Sequence, residues 1–203
     1  DDRARLAAFA KAHGLAVYLQ PGGADSVRLL WPERHELAFS LAAEDLRYRF
    51  EPLDFIQVNA ALNEAMIAQA LELLAPAPDQ HVLDLFCGLG NFSLPIARRA
   101  GRVTGIEGDA GLVARARANA AANGIGNAQF LAVDLAGDLR DAPWAGRGVD
   151  AVLIDPPRTG AQAVLEQLRF PDAGRLVYVS CHPGSLARDA RLLVDRHGYR
   201  LAA

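Results

Sequence analysis

Apolar residues along this chain fall into two regimes. In the first quarter they come in short runs. Leu6, Phe9 and Ala10 ahead of Gly14 predict a short amphipathic helix over residues 1–13, and brief strand-like segments follow at 16–20, 26–30, 36–41 and 46–51. Consecutive strands with no helix between them predict antiparallel pairing. After a boundary near 52–55 the period changes. Leu62, Met66, Ile67, Ala70, Leu71 and Leu74 predict a long helix over 59–74, ended by the Pro76 and Pro78 region. Strands at 81–86, 102–107, 128–133, 149–155 and 175–180 then alternate with helices near 92–100, 110–123, 161–168 and 185–197. Such alternation predicts a parallel sheet covered on both faces. The expected fold class is α/β: a mostly parallel sheet over 55–203, preceded by a small α+β antiparallel subdomain over 1–54.

The chain is organised around Val82-Leu83-Asp84-Leu85-Phe86-Cys87-Gly88-Leu89-Gly90-Asn91, a buried strand broken by two glycines just before a helix begins. Glycines there allow positive φ and let backbone approach a ligand, while the helix opening offers unpaired N–H groups. The third glycine of the dinucleotide fingerprint is replaced by Ser93, which favours an adenosine ligand without a pyrophosphate. In parallel sheets ligands lie at the carboxyl ends of the strands. Each predicted strand delivers polar or reactive residues there: Cys87-Gly88, Glu107, Asp134, Asp155-Pro156-Pro157-Arg158 and Ser180-Cys181-His182-Pro183.

Composition narrows the function classes. About half of the 203 residues are hydrophobic and 22% are charged, as in an ordinary soluble globular domain. No apolar run reaches the length of a membrane span and no signal peptide opens the chain, so a cytoplasmic location is expected. Two cysteines argue against a disulfide framework or a cysteine metal site. The net charge of −3 gives no general attraction to nucleic acid, and any such binding must use local arginine clusters.

Glu107 can accept both hydroxyls of a ribose, as the acidic residue of dinucleotide folds accepts one; the competing role is capping the helix near Ala110, for which Asp109 is better placed. Asp134 can meet the amino group of an adenine or cap the following turn. Two successive prolines fix the backbone after Asp155 and hold its carboxylate at a set distance from ligand and substrate. Cys181, flanked by Ser180 and His182, is the candidate nucleophile. The alternative is a small buried hydrophobe, which is the role expected of Cys87 beneath the glycine turn.

Four segments together resemble the S-adenosylmethionine-dependent RNA uracil-C5-methyltransferases: Phe55-Ile56-Gln57-Val58-Asn59, Leu83–Phe92 as quoted above, Ile154-Asp155-Pro156-Pro157-Arg158, and Tyr178-Val179-Ser180-Cys181-His182-Pro183 with Leu186-Ala187-Arg188-Asp189. Within that family the match is most like the bacterial enzymes that make 5-methyluridine in 23S ribosomal RNA. The resemblance implies a Rossmann-like class I methyltransferase domain with S-adenosylmethionine as cofactor. Phe86, Gly88, Asn91, Glu107 and Asp134 would line its pocket, Gln57 and Asp155 would lie between its methionine end and the target base, and Cys181 would be the nucleophile. Pro-Pro-Arg in place of a Pro-Cys after the fourth strand favours uracil over cytosine. The partner implied is RNA, with 23S rRNA first, no membrane and a monomeric enzyme. The family's RNA-binding barrel, its iron–sulfur cysteine cluster and its proton-removing glutamate fall outside these residues, so the chain is expected to be a C-terminally incomplete fragment that does not turn over alone. Two readings stay open: a methyltransferase for tRNA uridine or another substrate, and a non-catalytic cofactor- or RNA-binding module.

Overall fold

The computed structural model describes residues 1–146 and 148–202. By contacts the chain divides into two units, Asp1–Ser40 with Arg47–Ile56, and Leu41–Leu46 with Gln57–Ala203.

The first unit opens with α1 (Asp2–His13), N-capped by the Asp1 carboxylate and ended by Gly14 in the left-handed region at φ 65. Its expected apolar stripe is hardly buried: only Ala10 is enclosed, while Phe9 stacks on His13 with ring centroids 4.3 Å apart. Strands β1 (Val17–Leu19) and β2 (Arg28–Trp31) pair antiparallel. Strands β3 (Leu37–Leu41) and β4 (Leu46–Phe50) form a separate two-stranded sheet, where the Phe39 and Tyr48 rings stack at 4.9 Å and Glu36 pairs with Arg47 and Arg49. The antiparallel expectation therefore takes the form of two small ribbons rather than one sheet.

The second unit contains α2 (Ala60–Leu74), β5 (His81–Leu85), α3 (Ser93–Ala97), β6 (Arg102–Glu107), α4 (Ala110–Ala122), β7 (Ala128–Ala132), β8 (Ala151–Ile154), α5 (Gln162–Gln167), β9 (Arg175–Tyr178) and α6 (Pro183–His197). The five strands make one parallel sheet in the order β7-β6-β5-β8-β9. Strand residues alternate between faces and both faces are buried. Leu83, Leu85, Ile106, Val152 and Ile154 pack with Val164, Leu165, Leu168 and Leu193 of the α5–α6 side. Asp84, between them in sequence, points the other way and meets Ser93 of α3. The chain departs from β5 in both directions, to β6 and β7 on one side and to β8 and β9 on the other. That reversal opens a crevice at the carboxyl ends of β5 and β8.

Helix α2 buries the expected stripe at Ile67, Ala70, Leu71 and Leu74 and departs from it in the first turn. Leu62 is 63% exposed, whereas Asn63 is 3% exposed and faces inward with Ile67, Ala70, Leu71 and Leu74. Among the described residues no helix is long and apolar enough to cross a membrane.

Candidate active site

Register decides which residues meet. Leu85 pairs with Ile106 and with Ile154, and Ile154 with Tyr178, so the strand ends form one level row. Backbone bonds carry the pairing past the strand ends, from Cys87 N to Ile106 O, Asp155 N to Leu85 O and Val179 N to Ile154 O. The glycine turn, Glu107, Asp134, Asp155 and Cys181 therefore leave the sheet at the same edge. Neighbouring strands lie about 4.8 Å apart, so β9 is roughly 10 Å from β5, with one strand between them. Cys181 is exposed at this edge and Cys87 is buried. Burial pushes the Cys87 thiol well above its ordinary pKa, with the Asp84 and Glu107 carboxylates adding to the rise.

The turn itself is held in an uncommon conformation. Phe86, Gly88 and Gly90 all have positive φ, at 63, 55 and 94. For Phe86 this costs about 1–3 kcal/mol, the kind of strain that surrounding structure sustains at ligand loops. Its ring packs against the sheet core. A Cβ on Gly88 would meet nothing within 4 Å, so the space beside this backbone is open to a ligand.

Glu107 braces that turn. Its Oε2 accepts from Gly88 N at 3.1 Å and its Oε1 from Asp109 N at 3.0 Å, which leaves each oxygen a further lone pair for a pair of vicinal hydroxyls. The helix cap belongs to Asp109, whose carboxylate accepts from Leu112 N at 2.9 Å. Asp134 is exposed and its Oδ1 accepts from Ala136 N at 2.9 Å, so one oxygen caps the turn.

Two further carboxyls lie below. Asp84 is fully buried: Oδ2 accepts from the Ser93 hydroxyl, and Oδ1 has no hydrogen-bond partner among the described residues. Loss of hydration raises its pKa to about 7, against the Ser93 bond and with help from Asp155 and Glu107. Burial likewise lifts Asp155 to about 6. Glu107 and Asp155 at the ends of the strands flanking β5, with Asp84 buried beneath them, give this edge a negative character that suits a cationic ligand. The sulfonium and ammonium of S-adenosylmethionine meet that description.

Gln57 stands just ahead of α2, so the direction of that helix sets the end of the sheet to which it is nearest. Asn59 caps the helix by accepting from Leu62 N at 3.0 Å. At the far end Arg175, the first residue of β9, donates to Leu74 O at 3.3 Å and Ala75 O at 3.2 Å. The carboxyl end of α2 thus sits where β9 starts, so the helix runs against the strands. Its first turn lies at the ligand edge, where Asn63 and Asn91 exchange amide hydrogen bonds of 3.1 and 2.9 Å. Asn91 is anchored by a helix that precedes it. Beyond β9, His182 caps α6 with Nδ1 accepting from Ser185 N at 3.1 Å.

Sequence reasoning did not single out Asn63 or the Asp84–Ser93 pair, and it named Asp189, which is fully buried under Tyr178, only within the motif that carries the resemblance and without a role. The available signal was a polar residue on a buried phase of its element, Asn63 four before Ile67 and Asp84 inside an apolar strand.

Comparison with known proteins places this arrangement. The chain is 58% identical over 202 residues to the 23S rRNA (uracil(1939)-C(5))-methyltransferase RlmD of Xylella fastidiosa (strain Temecula1), covering 100% of this chain and 46% of that protein. The same figures hold for the protein of that description in Stenotrophomonas maltophilia (strain K279a). The chain thus spans about half the length of the curated relatives it matches. Among solved structures, the Pyrococcus abyssi tRNA (uracil-54, C5)-methyltransferase in complex with S-adenosyl-L-homocysteine superposes with a TM-score of 0.70 at 25% identity, over 87% of this chain and 44% of that one. Residues 32–203 match the family model described as tRNA (Uracil-5-)-methyltransferase, and the chain belongs to that family.

Proposed function

We propose that this chain is the catalytic core of a 23S rRNA uracil-C5-methyltransferase that works through a covalent adduct on Cys181. The observation that carries the reading is an exposed thiol at the end of β9, on the same sheet edge as the glycine turn and about two strand spacings away. That gap has room for one pyrimidine ring. The 58% identity to 23S rRNA enzymes favours that RNA over tRNA.

S-adenosylmethionine supplies an electrophilic methyl group. Gly88, Phe86, Asn91, Glu107 and Asp134 bind and orient it, with Glu107 taking the ribose hydroxyls and Asp134 the adenine through its remaining oxygen. Gln57 and Asp155 hold the uracil opposite Cys181. The target uridine leaves its stack to enter the site, at a cost of about a few kcal/mol. The Cys181 thiolate adds to C6 and the C5–C6 π pair moves into an enolate; C5 would then bond to the methyl carbon as the sulfonium S–CH3 bond breaks, its electron pair staying on the sulfur of the S-adenosylhomocysteine that leaves. A base then removes the C5 proton, the electron pair re-forms the C5–C6 double bond, and the sulfur leaves as thiolate. The resemblance implies a glutamate in the role of this base. An iron–sulfur cluster would be held outside this chain, whose two cysteines are half the usual ligand number. The enzyme is proposed to act as a cytoplasmic monomer.

The test uses the full-length protein with 5-fluorouridine-substituted 23S rRNA on a denaturing gel. Fluorine is not abstracted as a proton, so a protein–RNA band that maps to Cys181 is expected, absent in Cys181→Ala and present in Cys87→Ala. Full methylation activity in Cys181→Ala would overturn the mechanism. Methyl transfer to tRNA but not to 23S rRNA would favour the second substrate, which the archaeal structural relative makes the natural alternative.

A further inference from the structure

One buried side chain joins the two segments between which the pyrimidine would sit. Asp189 on α6 is 0% exposed. Its Oδ2 accepts from the Tyr178 hydroxyl at 2.6 Å and from Ala161 N at 2.7 Å, and its Oδ1 accepts from Arg188 Nε at 2.8 Å and lies 2.8 Å from Arg188 Nη2. Arg188 Nη2 also donates to Thr159 O at 2.8 Å. Tyr178 ends β9 just ahead of Cys181, while Thr159 and Ala161 lie just beyond Asp155-Pro156-Pro157. Gly160 passes over the pair at φ 83, and a Cβ there would stand 2.4 Å from both Arg188 Nη2 and Asp189 Oδ2.

We propose that Asp189 and Arg188 are positioning residues that set the gap between the Asp155 segment and the Cys181 loop, and so the reach of the thiol to C6 of the uracil. This rests on the methyl-transfer reading above. Pro156 and Pro157 stiffen the backbone between Asp155 and Thr159, so anchoring Thr159 and Ala161 anchors Asp155. On the other side, the Tyr178 bond holds the end of β9 to α6, whose cap His182 is the neighbour of Cys181. The carboxylate is saturated with donors from both segments, and its removal frees both at once. None of its partners belongs to the glycine turn or to Glu107, so the adenosine end of the cofactor site is held independently of the gap, and the two share only the Asp155 segment at the methionine end.

The experiment compares Tyr178→Phe, Arg188→Lys and Asp189→Asn with wild type in the full-length protein. Three quantities are read: the single-turnover rate of adduct formation with 5-fluorouridine-substituted 23S rRNA, the Kd for S-adenosylmethionine by calorimetry, and the unfolding midpoint. The expected result is an adduct rate reduced about tenfold or more, as displacement of reacting groups by a fraction of an ångström produces, with a much smaller change in Kd that reflects only the Asp155 segment. Arg188→Lys, which keeps the charge but loses the fork, should lie between Asp189→Asn and wild type. Folded variants that form the adduct at the wild-type rate overturn the proposal. So does a parallel loss of rate and cofactor affinity, which marks general loosening. If Asp189→Asn does not fold, Tyr178→Phe decides. An absence of adduct in the wild-type protein would instead refute the methyl-transfer reading.

Discussion

Asn63 and Asn91 exchange two side-chain hydrogen bonds, amide to amide, across the junction between the first turn of α2 and the glycine turn. The pair is part-buried, and each amide supplies one donor and one acceptor to the other. A helix that precedes the sheet thereby fixes the loop that follows its first strand. Replacing Asn63 with Ala should lower stability by about 1–2 kcal/mol and weaken S-adenosylmethionine binding several-fold. Asn63→Ala and Asn91→Ala together should cost less than the sum of the two, because one interaction is lost in either case. Denaturant titration and calorimetry of the four proteins of the cycle measure both.

Asp84 links stability to pH in a direction opposite to that of a paired surface carboxylate. Its pKa in the folded protein is about 7 and that of Asp155 about 6, both above the ordinary carboxylate value of 3.8. The folded state therefore holds protons that the unfolded state has released. The contribution of these groups is fully present below about pH 4 and is lost as pH rises through about 6 and 7. Asp84→Asn, neutral and still able to accept from Ser93, should stabilise the cofactor-free protein by about 2–4 kcal/mol at pH 8 and have little effect near pH 4. The same variant should bind the cationic cofactor less tightly. Unfolding at two pH values, with and without S-adenosylmethionine, checks each half.

Glu107 and Asp109 stand two residues apart, one proposed to hold the ribose and one capping α4. Glu107→Ala removes the proposed ribose acceptor and the brace on Gly88, and should weaken cofactor binding about a hundredfold. Asp109→Ala removes the α4 cap, which costs about 1 kcal/mol of stability, and should leave cofactor affinity within about twofold. Calorimetric titration of both variants distinguishes ribose binding from capping.

His182 caps α6 through Nδ1 and precedes Pro183, the first residue of the helix. Asparagine can make the same cap, so His182→Asn should be nearly neutral in stability, whereas His182→Ala should cost about 0.5–2 kcal/mol. Because Cys181 adjoins the cap, His182→Ala should also slow adduct formation. Thermal unfolding and the gel assay report the two effects.

Much of the architecture follows from local pattern. Alternation of apolar runs with helical periods specifies the strand–helix order, the parallel sheet and the polar strand ends, since each depends on residues near in sequence. The separation of Gly88 from Glu107 and the Pro-Pro segment after Asp155 were likewise readable, because tight turns and rigid backbone demand particular residue types. Tertiary structure alone decided the rest. The exposure of Leu62 and burial of Asn63 in the first turn of α2 depend on which neighbour supplies a partner, and Asn91 lies 28 residues away. Asp189 is an ordinary helix residue until Tyr178 and Ala161 converge on it from other elements, beside its helix neighbour Arg188. Asp84 becomes a carboxyl that titrates near neutrality only when the sheet and α3 close over it. A buried polar group is tolerated only with partners brought from elsewhere in the chain, and no periodicity along the sequence encodes who those partners are.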